Sequence, residues 1–419
     1  MILQNEIFEI IGGSKLGGTT KVYSAKNAVL PMLAGAMLTK EKVTIKDCPF
    51  ITDIDNMFKI RDCLSLSTVW EGRNIVASGG VENNHIPESL AGVMRSSIFM
   101  LGPLLVETGK VRLHLPGGCK IGARPIDIHI DGLSKMGAKI EVFDNGVQCE
   151  ADRLQGAEII LRYPSVGATE NLISAAVKAR GETTLIGVAR EPEVVSFAEM
   201  LVSMGARISG IGTPVVKIKG VDCLYGTTIK PATDRIVTGT IILATALVGG
   251  RVFIDGGNIR HIGALATKLV SKKCEIIEFH DGIIIESDGE VSAFDLSSGP
   301  YPKFPTDLQP IAVSVLCQMK GHSIVEENVF ENRFSYTDEL VKMGAKISLI
   351  EDKAIIDGTS LVGRNVVAKD LRGGAGLVVA SLKANGTTCV YGVEHIDRGY
   401  ENIEKIFSSL GAKIVRKVL

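Results

Sequence analysis

The chain has 419 residues, 45% of them hydrophobic and 22% charged, with a formal net charge of −1. That length exceeds one ordinary core, so at least two domains are expected, and the composition excludes a disordered chain. A near-neutral chain carries no field for nucleic acid or an anionic membrane, so any anion must be met by local clusters of Lys and Arg.

Eight cysteines, at 48, 63, 119, 149, 223, 274, 317 and 389, show no C-x-x-C spacing. This points to reduced thiols in a cytoplasm and away from a disulfide framework or a zinc site. The first thirteen residues carry acids and no basic segment, unlike a signal peptide, and apolar runs such as 236–248 are too short to span a bilayer.

In chain order the dominant signal is an internal repeat of about 70 residues. Met136-Gly-Ala-Lys-Ile, Met204-Gly-Ala-Arg-Ile, Met343-Gly-Ala-Lys-Ile and Leu410-Gly-Ala-Lys-Ile are one phrase, and Leu66-Ser-Thr-Val-Trp and Lys272-Lys-Cys-Glu-Ile read as worn copies. Strands are predicted in phase at 43–46, 111–115, 183–188, 252–255, 322–326 and 387–393. Each unit then reads strand, helix, strand, helix and a hairpin. A helical stripe is visible at Val194, Phe197, Ala198, Leu201 and Val202. The last unit ends at 419 without a partner strand, while the chain begins with that missing piece at 7–12. Residues 1 to about 25 are therefore expected to close the C-terminal domain, with two crossings between domains and a ligand cleft there.

Helix starts recur at equivalent places: Ala25-Lys26-Asn27, Met94-Arg95-Ser96, Ser165-Val166-Gly167, Asp234-Arg235, Thr306-Asp307 and Asp370-Leu371-Arg372. Second-helix starts are expected at Glu331-Asn332-Arg333 and Asp397-Arg398-Gly399. Cations there oppose the helix dipole, which implies a compensating anion. For any single pair, an aspartate N-cap beside a solvated arginine explains as much; the whole set favours an anion site. One loop differs from the repeat: Leu115-Pro-Gly-Gly-Cys119-Lys120 through Arg124 puts a thiol on a glycine-rich turn between cations, which favours the reactive thiolate. It is expected to be an inserted lid.

Ala25-Lys-Asn-Ala, Pro116-Gly-Gly-Cys-Lys-Ile-Gly-Ala-Arg-Pro, Phe304-Pro-Thr-Asp, Phe330-Glu-Asn-Arg-Phe, Asp370-Leu-Arg and His395-Ile-Asp-Arg-Gly-Tyr together resemble the enolpyruvyl transferase family over the whole chain. The cysteine loop separates this chain from the shikimate-pathway relatives. The resemblance implies an α/β fold of two inside-out α/β barrel domains, each of three βαβαββ repeats, with an interdomain cleft. The domains would be 26–232, and 1–25 plus 233–419. It implies transfer of the enolpyruvyl group of phosphoenolpyruvate to the 3′-hydroxyl of UDP-N-acetylglucosamine, with release of phosphate, as the first committed step of peptidoglycan synthesis. A cytoplasmic monomer needing no metal and no cofactor is expected.

The same resemblance assigns residues. Cys119 would give a proton to C3 of phosphoenolpyruvate and could add to C2; Asp307 would be the base for the 3′-hydroxyl or its orienter. Lys26, Arg124 and Arg398 would hold the phosphate, and Arg333 and Arg372 the carboxylate. Asn27 would meet the sugar, with Arg95 and Arg124 near the diphosphate. Arg124, Pro125, Ile126, Asp127 and Ile128 would line the uridine. Ser165, Val166 and Gly167 would offer backbone donors, and Val329 would touch the sugar through its backbone. His129 reads as a core or helix-face residue, and Asp234 matches a family position without a derivable role. Thr52 and Val237 depart from the family pattern, replacing a lysine and an acid, and should alter affinity more than function. An enolpyruvyl transferase with another acceptor, or a non-catalytic sugar-nucleotide-binding paralogue, remains as an alternative; the second expects damage at Cys119, Asp307 or Arg398, and none is seen.

Overall fold

The computed structural model describes residues 6–78, 80–92, 95–114, 126–270 and 273–419. Cys119, Arg124 and Pro125, and with them the expected lid, lie outside the described residues. Among those described, no helix is long and apolar enough to cross a membrane.

The described strands form six sheets, five of four strands and one of three. The four-stranded sheets share one plan: a leading strand lies parallel to a central strand, which pairs antiparallel with the inner member of an antiparallel strand pair. Thus Glu158–Ile160 runs parallel to Glu182–Ile186, which pairs with Val215–Lys219, itself paired with Arg207–Ser209. In the three-stranded sheet, Lys110–His114, Gly146–Glu150 and Lys139–Phe143, the leading strand is reduced to one parallel bridge from His85 to Arg112.

By contact, the described residues separate into two compact units, one holding 6–23 with Thr233–Leu419, the other lying between Ser24 and Ala232. Strand Glu6–Ile11 sits antiparallel between Thr387–Tyr391 and Lys413–Val418, with Ile10 opposite both Thr388 and Ile414. Leu16–Lys21 leads the sheet of Gly250–Asp255, and Thr227–Ile229 leads that of Val43–Ile45. The chain therefore reaches helix Lys26–Gly35 from one strand while a strand some two hundred residues later leads that helix's sheet. Each crossing is pinned inside its own unit, by Asp234 N–H to Tyr23 O and by Ala25 N–H to Ala232 O, both 2.9 Å.

Helices Arg235–Val248, Gln309–Leu316 and Leu371–Ser381 are buried almost throughout, which their apolar sequences permit on every face. Their hydroxyls turn back on their own carbonyls: Thr240 on Ile236 at 2.8 Å, Ser314 on Pro310 at 2.9 Å, Ser381 on Leu377 at 2.7 Å. In the other unit Lys26–Gly35 and Val166–Ala176 are similarly enclosed. The Pro192–Ser203 stripe buries Val194, Phe197, Ala198 and Leu201, but Val202 faces solvent, one position past the buried face.

The repeated phrase is a helix stop. Gly137, Gly205, Gly344 and Gly411 have φ between 93° and 102°, and the next N–H of each copy reaches back five residues, as Ala138 to Leu133 O and Ala412 to Phe407 O. This is the Schellman closure, which needs a left-handed residue. Among the worn copies, Lys273 takes that place at φ 61°. In the first copy it is Ser65, also at φ 61°, with Leu66 N–H on Arg61 O. The motif there is Leu64-Ser-Leu-Ser-Thr, two residues earlier than expected, because closure geometry and not side-chain likeness marks the register.

Ser65 is exposed and strained only by its Cβ, so Ser65→Gly should stabilise the protein by about 1 kcal/mol. A Cβ on Gly376 would come within 2.6 Å of Ser314 Oγ and 2.9 Å of Pro310 O, so Gly376→Val should cost about 3 kcal/mol by forcing two buried helices apart. Denaturant midpoints of the two variants check both signs.

Candidate active site

In the unit that contains 233–419, three expected residues converge. Arg333 Nη2 meets Asp307 Oδ1 at 3.1 Å, and Arg372 meets Asp307 Oδ2 through Nη2 at 3.0 Å and Nε at 3.2 Å. Arg333 also donates to Thr306 O from Nε and Nη2 at 3.3 and 3.1 Å. Both guanidinium side chains are nearly enclosed, 3% and 4% exposed, whereas the Asp307 side chain keeps 29%. Burial opposes the charge on Arg372, but Asp307, Tyr400 and Asp234 outweigh it and hold the group above the ordinary arginine range. Its Nη1 is buried with no hydrogen-bond partner, and its plane lies 5.3 Å from the Tyr400 ring centre. The arrangement is a two-arm clamp on a single carboxylate.

Local structure explains the placement and corrects several expectations. Asp370 is a plain N-cap, accepting from Arg372 N–H at 3.0 Å and Gly373 N–H at 2.9 Å, and Asp234 does the same for Ile236 and Val237. Thr306 does not cap: its Oγ1 has no partner, and helix Gln309–Leu316 begins after a turn, with Leu308 at the N-cap. Arg333 lies in a turn before helix Thr337–Lys342, not in that helix. The turn is fixed by Tyr336, whose hydroxyl donates to Gln309 Oε1 at 3.0 Å and whose ring packs against Gly373.

Asp397 also departs from expectation, ending the short helix Val393–Ile396 instead of starting one. Its carboxylate binds Arg416 at 2.9 and 2.6 Å, and Arg416 also meets Glu404 at 3.3 Å and Glu6 at 2.8 Å. Hydrogen bonding to Asp397 raises the Arg416 pKa most. Arg416 thus ties the turn bearing half-buried Arg398 to the first and last strands. Nothing in the spacing of Arg416 from Asp397 marks this contact. Near Val329, Glu327 accepts from the Val329 N–H at 2.9 Å and the Phe330 N–H at 3.2 Å, so Val329 retains only its carbonyl for a ligand.

The other unit brings together a second set. Lys26 opens helix Lys26–Gly35, which has no side-chain N-cap, and pairs at 2.9 Å with buried Asp53. Asp53 follows Thr52 in the first turn of helix Thr52–Cys63, so an acid meets the cation beside the departure at Thr52. Asn27 is half-buried on the same first turn. Arg95 begins a 3-10 segment, Arg95–Met100, with α-helix only from Leu101. Pro103 explains the delay, since it has no N–H to bond Phe99 O.

Ser165 caps helix Val166–Ala176 through Ala168 N–H at 3.4 Å. Asp127, with Ile126 before it and Ile128 after it, opens helix Asp127–Lys135, accepts from Ile128 N–H at 2.9 Å, and pairs with Arg162. Asn171 joins these elements, accepting from Gly102 N–H at 2.8 Å and sharing the two hydrogens of its Nδ2 among Ile98 O, Gly167 O and His129 Nδ1, at 3.0 to 3.2 Å. His129 is buried against Gly167. Burial, then the Arg95 charge, lowers its pKa to about 4, with Asp127 opposing. Neutral His129 with Nδ1 accepting carries its proton on Nε2, close to Gly167. Its enclosure was expected; its place among the backbone-donor residues was not, because the link runs through Asn171.

Among the described residues, no group of three or more His, Cys, Asp or Glu could hold a metal ion. The seven described cysteines are free, and burial pushes Cys48, Cys149, Cys274 and Cys317 up to about 12.

Residues 10–407 match the family described as EPSP synthase (3-phosphoshikimate 1-carboxyvinyltransferase). The chain is 45% identical over 412 residues, 98% of itself and 99% of the relative, to UDP-N-acetylglucosamine 1-carboxyvinyltransferase 2 of Caldanaerobacter subterraneus subsp. tengcongensis. It is 43% identical over 415 residues, again 98% and 99%, to the protein of that name from Carboxydothermus hydrogenoformans. Among solved structures, the enolpyruvyl transferase NikO from Streptomyces tendae has a TM-score of 0.88 at 22% identity, covering 99% of this chain and 100% of that one. That likeness carries the mixed α/β fold.

His129 yields a pH prediction. Its folded pKa lies below the unfolded value near 6.5, so the unfolded chain binds the proton more readily. Its contribution is complete above pH 6.5 and is lost as pH falls toward about 4, by roughly 3 kcal/mol in all. Denaturant titrations between pH 7 and 4 should show a shallower loss in His129→Phe than in the unsubstituted protein.

Proposed function

We propose that the chain, which belongs to the EPSP synthase family of enolpyruvyl transferases, moves the enolpyruvyl group of phosphoenolpyruvate to the 3′-hydroxyl of UDP-N-acetylglucosamine and releases phosphate, in peptidoglycan synthesis. The observation that carries this reading is the pair of buried guanidiniums converging on Asp307. Relatives of 43–45% identity carry the name of that activity over nearly the whole chain. We also infer that each unit, 26–232 and 1–25 with 233–419, is an inside-out α/β barrel of three βαβαββ repeats. The nearly enclosed helices and the common sheet plan support it. A cytoplasmic monomer working without metal or cofactor belongs to the same reading.

The substrate carboxylate takes Arg333 and Arg372 in a forked contact in place of Asp307. Asp307, released from that clamp, accepts or orients the 3′-hydroxyl proton. Lys26, Arg124 and Arg398 hold the phosphate. Cys119 delivers a proton to C3 while the 3′-oxygen bonds to C2, giving a tetrahedral adduct. Loss of a C3 proton with cleavage of the C2–O bond then expels phosphate and leaves the enol ether. Asn27 and the Val329 carbonyl meet the sugar, Arg95 the diphosphate, and 124–128 the uridine, with donors from Ser165, Val166 and Gly167.

Phosphate release from phosphoenolpyruvate should require UDP-N-acetylglucosamine; release independent of the sugar, or none at all, would sink the assignment. Asp307→Asn should lower kcat by about a hundredfold or more, with a smaller change in KM for phosphoenolpyruvate, as steady-state kinetics will read. A Cys119→Ser protein that keeps full phosphate release near pH 8 would remove the thiol from the mechanism.

A further inference from the structure

Strand His322–Glu326 leads into residues 327–330, and the turn that bears Arg333 follows directly. This short run is pinned to its neighbours. Glu327 N–H donates to Asp352 O at 2.8 Å, and Asn328 N–H to Ser298 Oγ at 2.9 Å. Asn328 Nδ2 adds bonds to Ser297 Oγ at 2.8 Å and Ser298 O at 3.2 Å. At its other end, the Arg333 guanidinium lies 5.6 Å from the Phe330 ring centre and meets Asp307 at 3.1 Å. Val329 is thus the chain neighbour of a residue that touches the clamp.

Between these anchors the Glu327 side chain folds back on the backbone. Glu327 is buried, and its Oε1 accepts from both the Val329 N–H at 2.9 Å and the Phe330 N–H at 3.2 Å. The second bond orients more than a donor. Phe330 N–H and Val329 C=O belong to one peptide unit, and among the described residues only the Tyr301–Pro302 bond is cis. In a planar trans peptide the N–H and C=O point in opposite directions. An N–H aimed at the buried carboxylate therefore turns the Val329 carbonyl away from it. A flip of that plane would set the carbonyl oxygen against the carboxylate, acceptor facing acceptor, which Coulomb repulsion opposes. Among the described residues no hydrogen bond occupies the Val329 carbonyl.

We propose that Glu327 is a positioning residue for the sugar nucleotide: through the Phe330 N–H, its carboxylate aims the Val329 carbonyl at a hydroxyl or amide N–H of the sugar. This rests on the sugar contact and the transferase reading given above. A carbonyl oxygen selects for a donor, so the effect belongs to the sugar end of the ligand and not to its uridine diphosphate.

UDP-N-acetylglucosamine and UDP are the probes, titrated calorimetrically into the full-length protein. Glu327→Met keeps the side-chain length and removes the acceptor. It should weaken UDP-N-acetylglucosamine binding by about tenfold, the size of one hydrogen bond, and leave UDP binding unchanged. In steady state, KM for the sugar nucleotide should rise by the same factor, with kcat at saturation nearly kept. Glu327→Gln, which retains the acceptor oxygen, should restore affinity to within about threefold. Equal affinity in Glu327→Met, an equal loss for UDP, or a Gln variant as weak as the Met variant overturns the proposal. Hydrogen exchange in the unsubstituted protein tests it without any variant. UDP-N-acetylglucosamine, but not UDP, should slow the Val329 and Phe330 amides, because an occupied carbonyl locks the plane; no difference between the two ligands overturns the proposal as well. Selective loss in a protein without sugar-dependent phosphate release leaves Glu327 its role and ends the transferase reading. Phosphate release without the selective loss does the reverse.

Discussion

Two guanidinium groups almost out of water cannot be held without a counter-charge, and Asp307 supplies it to both. Removing an ion from water costs several kcal/mol, and only close, well-directed pairing offsets it. The surrounding structure serves that pairing: Asp370 caps the helix that aims Arg372, Tyr336 fixes the turn that aims Arg333, and Tyr400 covers the Arg372 plane. The same demand makes the clamp available to a ligand. In the proposed reaction a substrate carboxylate replaces Asp307 without leaving either cation unpaired, and the exchange releases Asp307 for proton work.

The second set of groups is organised on a different principle. Around Gly167 the key side chain is neutral, and Asn171 fixes three elements by spending both ends of its amide. Arg95 discourages a charge on His129, and burial does so more strongly. The donors there are backbone N–H groups and one imidazole N–H, which suits recognition of oxygen-rich groups without adding charge to the interior.

Resemblance and spacing in the sequence found the clamp residues but misjudged what positions them. Helix starts were expected at Asp307, Arg333 and Arg398; each instead lies in a turn before or after a short helix. Turns of this kind depend on partners far along the chain, such as Gln309 for Tyr336 and Arg416 for Asp397. Local pattern carries no trace of those partners. The Leu64-Ser-Leu-Ser-Thr copy shows the same limit, since its register is set by a left-handed residue and a backbone bond and not by the look of the side chains.

What the sequence determined by itself was the repeat, because Schellman closures and all-apolar helices leave local marks: a glycine after the last helical turn, and apolar residues on every face. It also determined the family, through motifs spread over the whole chain. The tertiary structure decided which cations meet which acids. Lys26 with Asp53, Arg372 and Arg333 with Asp307, and Arg416 with three carboxylates are contacts across the fold. Their strength depends on burial and angle, and neither quantity exists until the sheets and helices have closed around them.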